Sequence, residues 1–300
     1  MKKKTYLFAL MAMALTLGSC SDNENGIGGE TSKYITVSTS IGNMTRVATD
    51  AKGGQTFEEG DEISVYAWTG DATIAPDASE RVVNNAINKL TSSSWVSTPQ
   101  MLWKNNRDKH YFIGVYPTAA ISDLSAGEYT FDANKQTESD LLVAVNPDGL
   151  SYSADAQQTV PLTFTHVMAK LAVNLTYKNQ WGGIPTVEKV VVGNAAKEAT
   201  INYLTKVVTP STTAKEDFSL PEITENTKYV SVIIPQEEVT QLTIVIGGKN
   251  FVYDNGTPFK LESGKITTVN LEVGRDEIKL GDVKITNWED GSTFSGEALN

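Results

Sequence analysis

The sequence is poor in the residues that build disulfides, metal sites and catalytic centres. Its 300 residues include one cysteine and two histidines. A single cysteine cannot form an internal disulfide, so the fold must be held together by strand pairing and apolar burial. Neither His110 nor His166 has a nearby cysteine or an HExxH spacing, and no GxSxG, P-loop or dinucleotide motif is present. We therefore expect no catalytic residues, no metal and no cofactor, and a chain that is not an enzyme.

Positive charge and long apolar runs are also scarce. The formal net charge is −11 at pH 7. Such an acidic chain has little electrostatic attraction for nucleic acid, so no nucleic-acid partner is expected. The apolar run at residues 6–17 is shorter than the roughly 20 residues that a membrane-spanning helix needs, and no later run approaches that length.

The first 20 residues have the layout of a secretory signal peptide. Lys2, Lys3 and Lys4 precede the apolar run, and the segment Leu17-Gly18-Ser19-Cys20 closes it. This closing segment resembles the bacterial lipobox, in which the cysteine thiol receives a diacylglycerol. We predict a signal peptide at 1–19, lipidation at Cys20 and a lipidated flexible tether at 20–32. The alternative is an ordinary signal peptide that leaves Cys20 as a free thiol.

Two acidic residues directly after Cys20 bear on location. Asp22 and Glu24 resemble the signals that send some Bacteroidales lipoproteins to the outer face of the outer membrane. They predict a lipid-anchored, surface-exposed protein of the outer membrane. The alternative is a random acidic linker in an acidic protein.

The body of the chain has the pattern of an all-β protein. Residues 34–41 alternate, with Ile35, Val37 and Ile41 on one face and polar residues on the other. Gly247-Gly248 between two apolar runs predicts a hairpin, because glycines supply the positive φ of a tight turn. Further short strand-like runs lie at 63–68, 111–116, 141–145, 170–176, 189–192, 229–234, 242–246, 251–253, 266–273 and 283–285.

Helical periodicity is weak throughout. The segment 82–90 has some helical character, which Asn84, Asn85 and Asn88 weaken. Many short strands with frequent turns favour β-sandwiches. We predict two tandem sandwiches, at 33–160 and 161–300, with the boundary in a polar, turn-rich stretch.

Five motifs resemble, in order, those of the Bacteroidales fimbrillins, the lipoprotein precursors of type V pili. They are GDEISVY at 60–66, YFIGVYP at 111–117 after Trp103, QTESDLLVA at 136–144, LTFTHVMAKL at 162–171, and ITNW at 285–288 followed by Gly291. Together they span most of the chain after the tether. The resemblance implies two transthyretin-like or Ig-like sandwiches.

The resemblance also implies a mode of assembly. In that family an Arg-directed protease cuts the loop after the first strand, the strand leaves, and a strand of a neighbouring subunit fills the groove. Carried over to this chain, the cut falls at Arg46–Val47, and the strand removed carries Ile35, Val37 and Ile41. The alternative for Arg46 is an ordinary charge in a solvated loop.

The C-terminal segment, residues 276–300, is the candidate donor strand. Its plug side chains would be Ile278, Leu280, Val283 and Ile285. The alternative is that this segment completes the second sandwich of its own chain. The expected partners are other pilin subunits, the membrane through the lipid, and a host protein or glycan.

Two functions remain open from the sequence. The first is a structural or adhesive subunit of a surface fimbria, assembled by strand exchange. The second is a surface lipoprotein that binds glycans or host ligands without polymerising, with sugars stacked on Trp68, Trp95, Trp103 and Trp181. A removable strand 34–41 over an apolar groove favours the first function, and an exposed tryptophan plane favours the second.

Overall fold

The computed structural model describes residues 34–42, 56–153 and 158–288, and the regular secondary structure in these ranges is almost entirely β-strand. The all-β prediction is confirmed. No helix in these ranges is long and apolar enough to cross a bilayer. A short 3-10 helix spans Asn179–Trp181. The strands are β1 Thr36–Ile41, β2 Glu62–Thr69, β3 Val83–Thr91, β4 Ser94–Thr98, β5 Lys109–Tyr116, β6 Gly127–Thr130, β7 Leu142–Ser151, β8 Thr159–His166, β9 Ala169–Tyr177, β10 Val187–Ala196, β11 Glu198–Asn202, β12 Val207–Pro210, β13 Lys215–Ser219, β14 Glu222–Thr224, β15 Lys228–Ile233, β16 Gln236–Ile246, β17 Lys249–Leu261, β18 Lys265–Val273 and β19 Ile278–Asn287.

The first sheet has seven strands in the order β1-β8-β7-β5-β2-β3-β4. Its two outer strands approach each other, because the Ile35 amide donates to the Met101 carbonyl at 3.0 Å, just beyond β4. An isolated bridge also joins Tyr34 to Leu102. The sheet therefore curls around a buried interior, and β1 lies where its two ends meet.

Both faces of this sheet are covered. In β2, alternate side chains enter different buried clusters: Val65 and Ala67 belong to the interior under β1, whereas Tyr66 and Trp68 belong to a larger cluster on the other face. A strand that is buried on both faces carries apolar side chains at nearly every position, and not only at every second one. The central part of β2 is buried accordingly.

The remaining strands form three further sheets. A four-stranded sheet (β13-β10-β16-β17) and a five-stranded sheet (β14-β15-β9-β18-β19) contribute side chains to the same large cluster. Such sharing is typical of two sheets packed face to face in a sandwich. The third sheet, β12-β11-β6, joins strands from distant parts of the chain.

The strand limits bear on the predicted boundary at 160/161. That position lies inside β8, which pairs with β1 as far as Phe164 and with β7 as far as His166. In addition, β6 at residues 127–130 pairs with β11 at residues 198–202. The first sheet thus ends at His166, and the division into two domains stays a prediction.

Two local expectations can be compared with the structure. The hairpin prediction is confirmed, because β16 and β17 pair up to Ile246–Lys249 around Gly247 (φ 59°) and Gly248 (φ 72°). The helical character of 82–90 was misleading, because this segment is β3, between β2 and β4. Tertiary pairing on both sides outweighed the weak local preference.

Candidate functional site

The candidate site is strand β1 and the slot that it occupies. The strand runs parallel to β8, in a register that pairs Thr36 with Thr159 and Ile41 with Phe164. It is the outermost strand of the seven-stranded sheet. Removing residues 34–41 would break this ladder, the Ile35–Met101 hydrogen bond and the Tyr34–Leu102 bridge, and would leave the other strand pairs of the sheet in place.

The side chains of β1 alternate as the sequence predicted. Ile35, directly before β1, and Val37 face inward and are 1% and 6% exposed, and Ile41 is half-buried. The outward-facing hydroxyls of Thr36 and Ser40 meet those of Thr159 and Thr163, each pair at 3.1 Å. The inward face thus fills the interior of the sheet with apolar side chains, and the outward face forms hydroxyl pairs with β8.

The slot itself is lined by large apolar residues. Phe164 of β8 packs so closely over Gly114 of β5 that a Cβ at position 114 would lie 2.6 Å from its ring. Phe57 contacts the rings of Trp95, Tyr116 and Phe164 edge-on, at centroid distances of 5.3, 5.3 and 5.1 Å. The buried cluster that contains Ile35 and Val37 also includes Ile63, Val65, Met101, Trp103, Phe112, Leu142, Val160 and Leu162.

One inward position of β1 is polar. The Trp95 indole Nε1, on β4, donates to the Thr39 hydroxyl at 3.0 Å. Sequence reasoning missed this pair. The available signal was a threonine at the third inward position, between Val37 and Ile41, where strict alternation would place an apolar residue. The bond ties β1 to the strand at the opposite end of the sheet.

The lipidation and processing positions lie outside the described residues. These are Cys20, Arg46 and Val47. Where the chain is described, it leaves the end of β1 at Gly42, whose amide donates to the Phe164 carbonyl at 2.7 Å, and it is next described at Thr56. Both roles stay predictions.

The candidate donor residues lie on β19, the outer strand of the five-stranded sheet. This strand pairs antiparallel with β18 of its own chain. Ile278 and Leu280 are partly buried against the large cluster, whereas Val283 and Ile285 are 38% and 37% exposed. The segment therefore occupies its own sheet here, and a donor role stays a prediction.

The end of β19 is held at the junction between β8 and β9. The Trp288 indole is buried and stacks on His166, with centroids 4.1 Å apart and an interplanar angle of 8°. Lys170 Nζ lies 4.2 Å from the centroid of the same indole ring. His166 Nδ1 lies 2.8 Å from Asp140 Oδ1, so this histidine is hydrogen-bonded within the fold. Burial lowers the pKa of Lys170, and nearby Asp140 opposes this shift.

The second histidine, His110, is fully buried at the start of β5. Its Nε2 accepts from the Lys104 amide at 3.1 Å, and its Nδ1 lies 3.1 Å from the Asp108 carbonyl. An acceptor at Nε2 and a donor at Nδ1 define the neutral imidazole. Burial lowers the pKa of His110. The ring fixes the turn between Trp103 and β5.

A cleft of about 520 Å³ lies beside the end of β1. Ile41, Phe57 and Tyr116 line one part of it, and the β15 residues Val230 and Val232 line another. Burial, helped by the negative charge of Asp61, raises the pKa of Tyr116 to about 12. In the described ranges, no group of three or more histidine, cysteine or acidic residues is arranged to hold a metal ion.

The tryptophans do not form an exposed plane. Trp68 and Trp103 are buried. Trp95 and Trp181 are partly buried, and their indole nitrogens donate to Thr39 and to the Val273 carbonyl. The condition that favoured a glycan-stacking face is therefore not met. Strand 34–41 covers an apolar slot, and its removal stays a prediction.

Comparison with known proteins identifies the class. Residues 45–288 match the family model for fimbrillin-like proteins. This match covers most of the sequence, and the chain therefore belongs to the fimbrillin-like family, as its motifs indicated. No curated protein sequence matches it.

Solved structures share the fold at low sequence identity. A Bacteroides ovatus protein provisionally assigned to cell adhesion has a TM-score of 0.65 at 18% identity, over 85% of this chain and 98% of that chain. A Bacteroides uniformis protein with the same provisional assignment has a TM-score of 0.59 at 19% identity, over 86% and 99%. A fimbrial protein from Bacteroides vulgatus has a TM-score of 0.52 at 13% identity, over 85% and 99%.

Proposed function

We propose that this protein is a structural or adhesive subunit of a surface fimbria, a type V pilus, and that it assembles by protease-triggered strand exchange. Its membership of the fimbrillin-like family supports a fimbrial or adhesion subunit. The observation that carries the strand-exchange mechanism is the position of β1. It is an outermost strand of its sheet, where it pairs with β8, and its inward side chains fill an apolar slot.

The energetics of the slot explain why a cut would drive assembly. Full burial of an aliphatic side chain contributes about 1.5–3 kcal/mol, and Ile35 and Val37 are almost fully buried. Their loss, together with part of Ile41, is comparable with a typical domain stability of about 5–15 kcal/mol. The backbone edge of β8 would be unpaired as well. A subunit that has lost β1 would therefore gain by accepting a strand from a neighbour, the mode known as β-augmentation.

The processing site that fits this mechanism is the Arg46–Val47 bond, between β1 and β2. The chain has three other arginines. Arg81 is buried, and its guanidinium donates to the Ile121 and Ser122 carbonyls, which protects it from a protease. Arg107 and Arg275 are exposed, but neither lies between β1 and β2, so a cut at either would leave β1 attached to the body.

The same cleavage would separate the body from its proposed lipid anchor and prepare it for its proposed partners. A diacylglycerol on Cys20 would hold the precursor at the outer membrane, since each buried methylene contributes about 0.8 kcal/mol. Cleavage at Arg46 would separate this anchor from the body, and β1 would leave with it. The partners are then other pilin subunits, with a host protein or glycan as the ligand of an assembled fimbria. This role requires no catalysis by the chain itself.

The test is brief digestion of the unlipidated precursor with an Arg-specific protease, followed by sizing. The sequence should carry Arg107→Lys and Arg275→Lys, so that Arg46 is the accessible arginine. We expect a ladder of oligomers whose subunits begin at Val47. Adding Arg46→Lys provides the matched control and should abolish the ladder. A trimmed product that begins at Val47 and stays monomeric would contradict the proposal.

A further inference from the structure

We infer that Gln180, Lys249 and Trp181 restrict where an Arg-directed protease cuts this chain, because they hold Arg275 in a form that such a protease cannot bind. The inference rests on the proposed function, since it concerns the same proteolytic processing. Arg275 lies in the turn that leads into β19, so a cut after it would sever β19 from the rest of the chain. The three residues therefore keep the C-terminal strand covalently attached while the chain is processed elsewhere.

Exposure alone would make Arg275 a second cleavage site. It is exposed and lies between β18 and β19, and exposed turns are preferred sites of proteolysis. A protease binds its substrate in extended form, with the side chain before the cut in a specificity pocket and the adjacent main-chain groups free to pair. The contacts of Arg275 in the fold oppose each of these requirements.

Both main-chain groups of Arg275 are used within the fold. Its amide donates to Gln180 Oε1 at 3.2 Å, and its carbonyl accepts from Lys249 Nζ at 3.0 Å. This carbonyl belongs to the peptide bond that would be cut. Cleavage therefore requires both of these hydrogen bonds to break first.

The side chain of Arg275 lies over an aromatic ring. Its guanidinium carbon is 5.7 Å from the centroid of the Trp181 indole, within the range of a cation–π contact. Trp181 is itself fixed, because its Nε1 donates to the Val273 carbonyl at 3.0 Å. Its ring also meets that of Phe251 edge-on, with centroids 5.8 Å apart. A specificity pocket would have to draw the guanidinium away from this fixed ring.

The turn that contains Arg275 is tightly closed. The Gly274 amide donates to the Glu277 carbonyl at 2.8 Å, and β18 and β19 pair up to Val273 and Ile278. An extended conformation at Arg275 therefore requires the end of this hairpin to open. The rate of cleavage then follows the fraction of molecules in which it is open.

Arg81 provides an internal reference for this protection. It is buried, and its guanidinium donates to two main-chain carbonyls, so a cut at Arg81 reports unfolding of the first sheet. Arg275 is not buried and depends on its local contacts. A substitution close to Arg275 should therefore change cleavage there without changing cleavage at Arg81.

The experiment digests the unlipidated full chain, carrying Arg107→Lys, with an Arg-specific protease under native conditions. Denaturing mass spectrometry then measures the rates of cleavage at Arg46, Arg81 and Arg275. A synthetic peptide of residues 270–281 gives the rate at Arg275 without the fold. We expect cleavage at Arg275 to be at least about a hundred-fold slower in the protein than in the peptide.

Three substitutions test the assigned residues. Gln180→Ala and Lys249→Ala each remove one hydrogen bond to Arg275, and each should raise the rate of cleavage there by about three-fold. Trp181→Ala removes the ring under the guanidinium together with its packing, and should raise this rate by at least about ten-fold. The rates at Arg46 and Arg81 should change by less than about two-fold in all three variants.

Lys109→Ala is the matched control for Lys249→Ala. Lys109 Nζ also donates to a main-chain carbonyl, that of Asp148 at 3.2 Å, but this contact lies in the first sheet. The control should leave the rate of cleavage at Arg275 unchanged.

Two results would overturn the inference. The first is cleavage at Arg275 that is as fast in the protein as in the peptide. The second is slow cleavage that none of the three substitutions accelerates. If Trp181→Ala accelerates cleavage at Arg81 and Arg275 equally, that variant unfolds the chain, and unchanged rates in Gln180→Ala and Lys249→Ala would then overturn the inference. The absence of any cut at Arg46 would contradict the proposed processing alone, because the protection of Arg275 is measured separately.

Discussion

At the scale of single residues, the slot combines a strong apolar anchor with one specific hydrogen bond. Ile35 is almost fully buried, whereas Thr39 meets the indole of Trp95. The first contact holds β1 in place through burial, which is non-directional. The second fixes which residue faces β4, because a hydrogen bond requires a defined geometry. The burial of Ile35 thus stabilises the uncut chain, whereas the Thr39–Trp95 bond fixes the register of β1 against β4.

The contribution of the anchor can be measured directly. Ile35→Ala should lower the free energy of unfolding of the uncut precursor by about 2–5 kcal/mol, the range for truncating a buried aliphatic side chain. Ile285→Ala, at a site 37% exposed, is the matched control and should change it by less than about 0.5 kcal/mol. Urea unfolding followed by circular dichroism gives both values. Equal small effects of the two substitutions would contradict the view of Ile35 as an anchor.

His110 should make the fold sensitive to acid. Burial holds its pKa below the ordinary value of about 6.5, so the unfolded chain binds this proton more readily than the folded chain does. The stabilisation is therefore present above about pH 6.5 and is lost as the pH falls through the folded pKa. Protonation would also give Nε2 a hydrogen that faces the Lys104 amide.

The test compares unfolding of the wild type with that of His110→Asn at pH 7 and pH 5. Titration of the carboxylates is shared by the two proteins and cancels in the difference between them. We expect the wild type to lose more stability between these pH values than the variant does. Parallel losses in the two proteins would show that His110 does not contribute to the pH dependence.

At the scale of elements, β1 and β19 are both outer strands but are held differently. β1 pairs in parallel with β8 and plugs a core. β19 pairs antiparallel with β18, and its last part exposes Val283 and Ile285. Loss of β1 would therefore open an apolar slot, whereas loss of the last part of β19 would uncover side chains that are already partly exposed.

A disulfide that joins β1 reversibly to β8 would test whether β1 must leave before oligomers form. Ser40 and Thr163 have hydroxyls 3.1 Å apart, so Ser40→Cys with Thr163→Cys, in a chain that carries Cys20→Ser, is close enough for a disulfide. After cleavage at Arg46, the oxidised variant should stay monomeric, and a reducing agent should restore oligomer formation. Sizing with and without reductant gives the result. Equal oligomer formation in both states would show that β1 need not leave.

Whether the sequence predicts an element depends on how far apart in the chain its interacting residues lie. The alternation of Ile35, Val37 and Ile41 and the glycine pair at 247–248 are local signals, and both correctly predicted structure. The pairing of β1 with β8 joins residues more than a hundred positions apart, and no local period encodes it. The same holds for the Thr39–Trp95 bond and for β6 with β11. Residues 82–90 were ambiguous, because pairing on both sides decided their conformation.

At the scale of the whole molecule, the parts of the proposed mechanism lie in sequence order along one chain. The lipid site at Cys20 and the cut at Arg46 are predicted on either side of β1, and the candidate donor strand is close to the C-terminus. A cut at Arg46 would therefore change two properties together. It would release the body from its anchor and open the slot, so that detachment and readiness to assemble are coupled.

The most direct measurement is the mass of the subunits within oligomers formed after Arg-specific cleavage, determined by native and then denaturing mass spectrometry. We expect each subunit within an oligomer to begin at Val47 and to have lost the peptide that carries Ile35, Val37 and Ile41, with that peptide free in solution. Oligomers whose subunits still retain the cut peptide, or complete loss of the peptide without association, would contradict the exchange of β1 for a neighbour's strand.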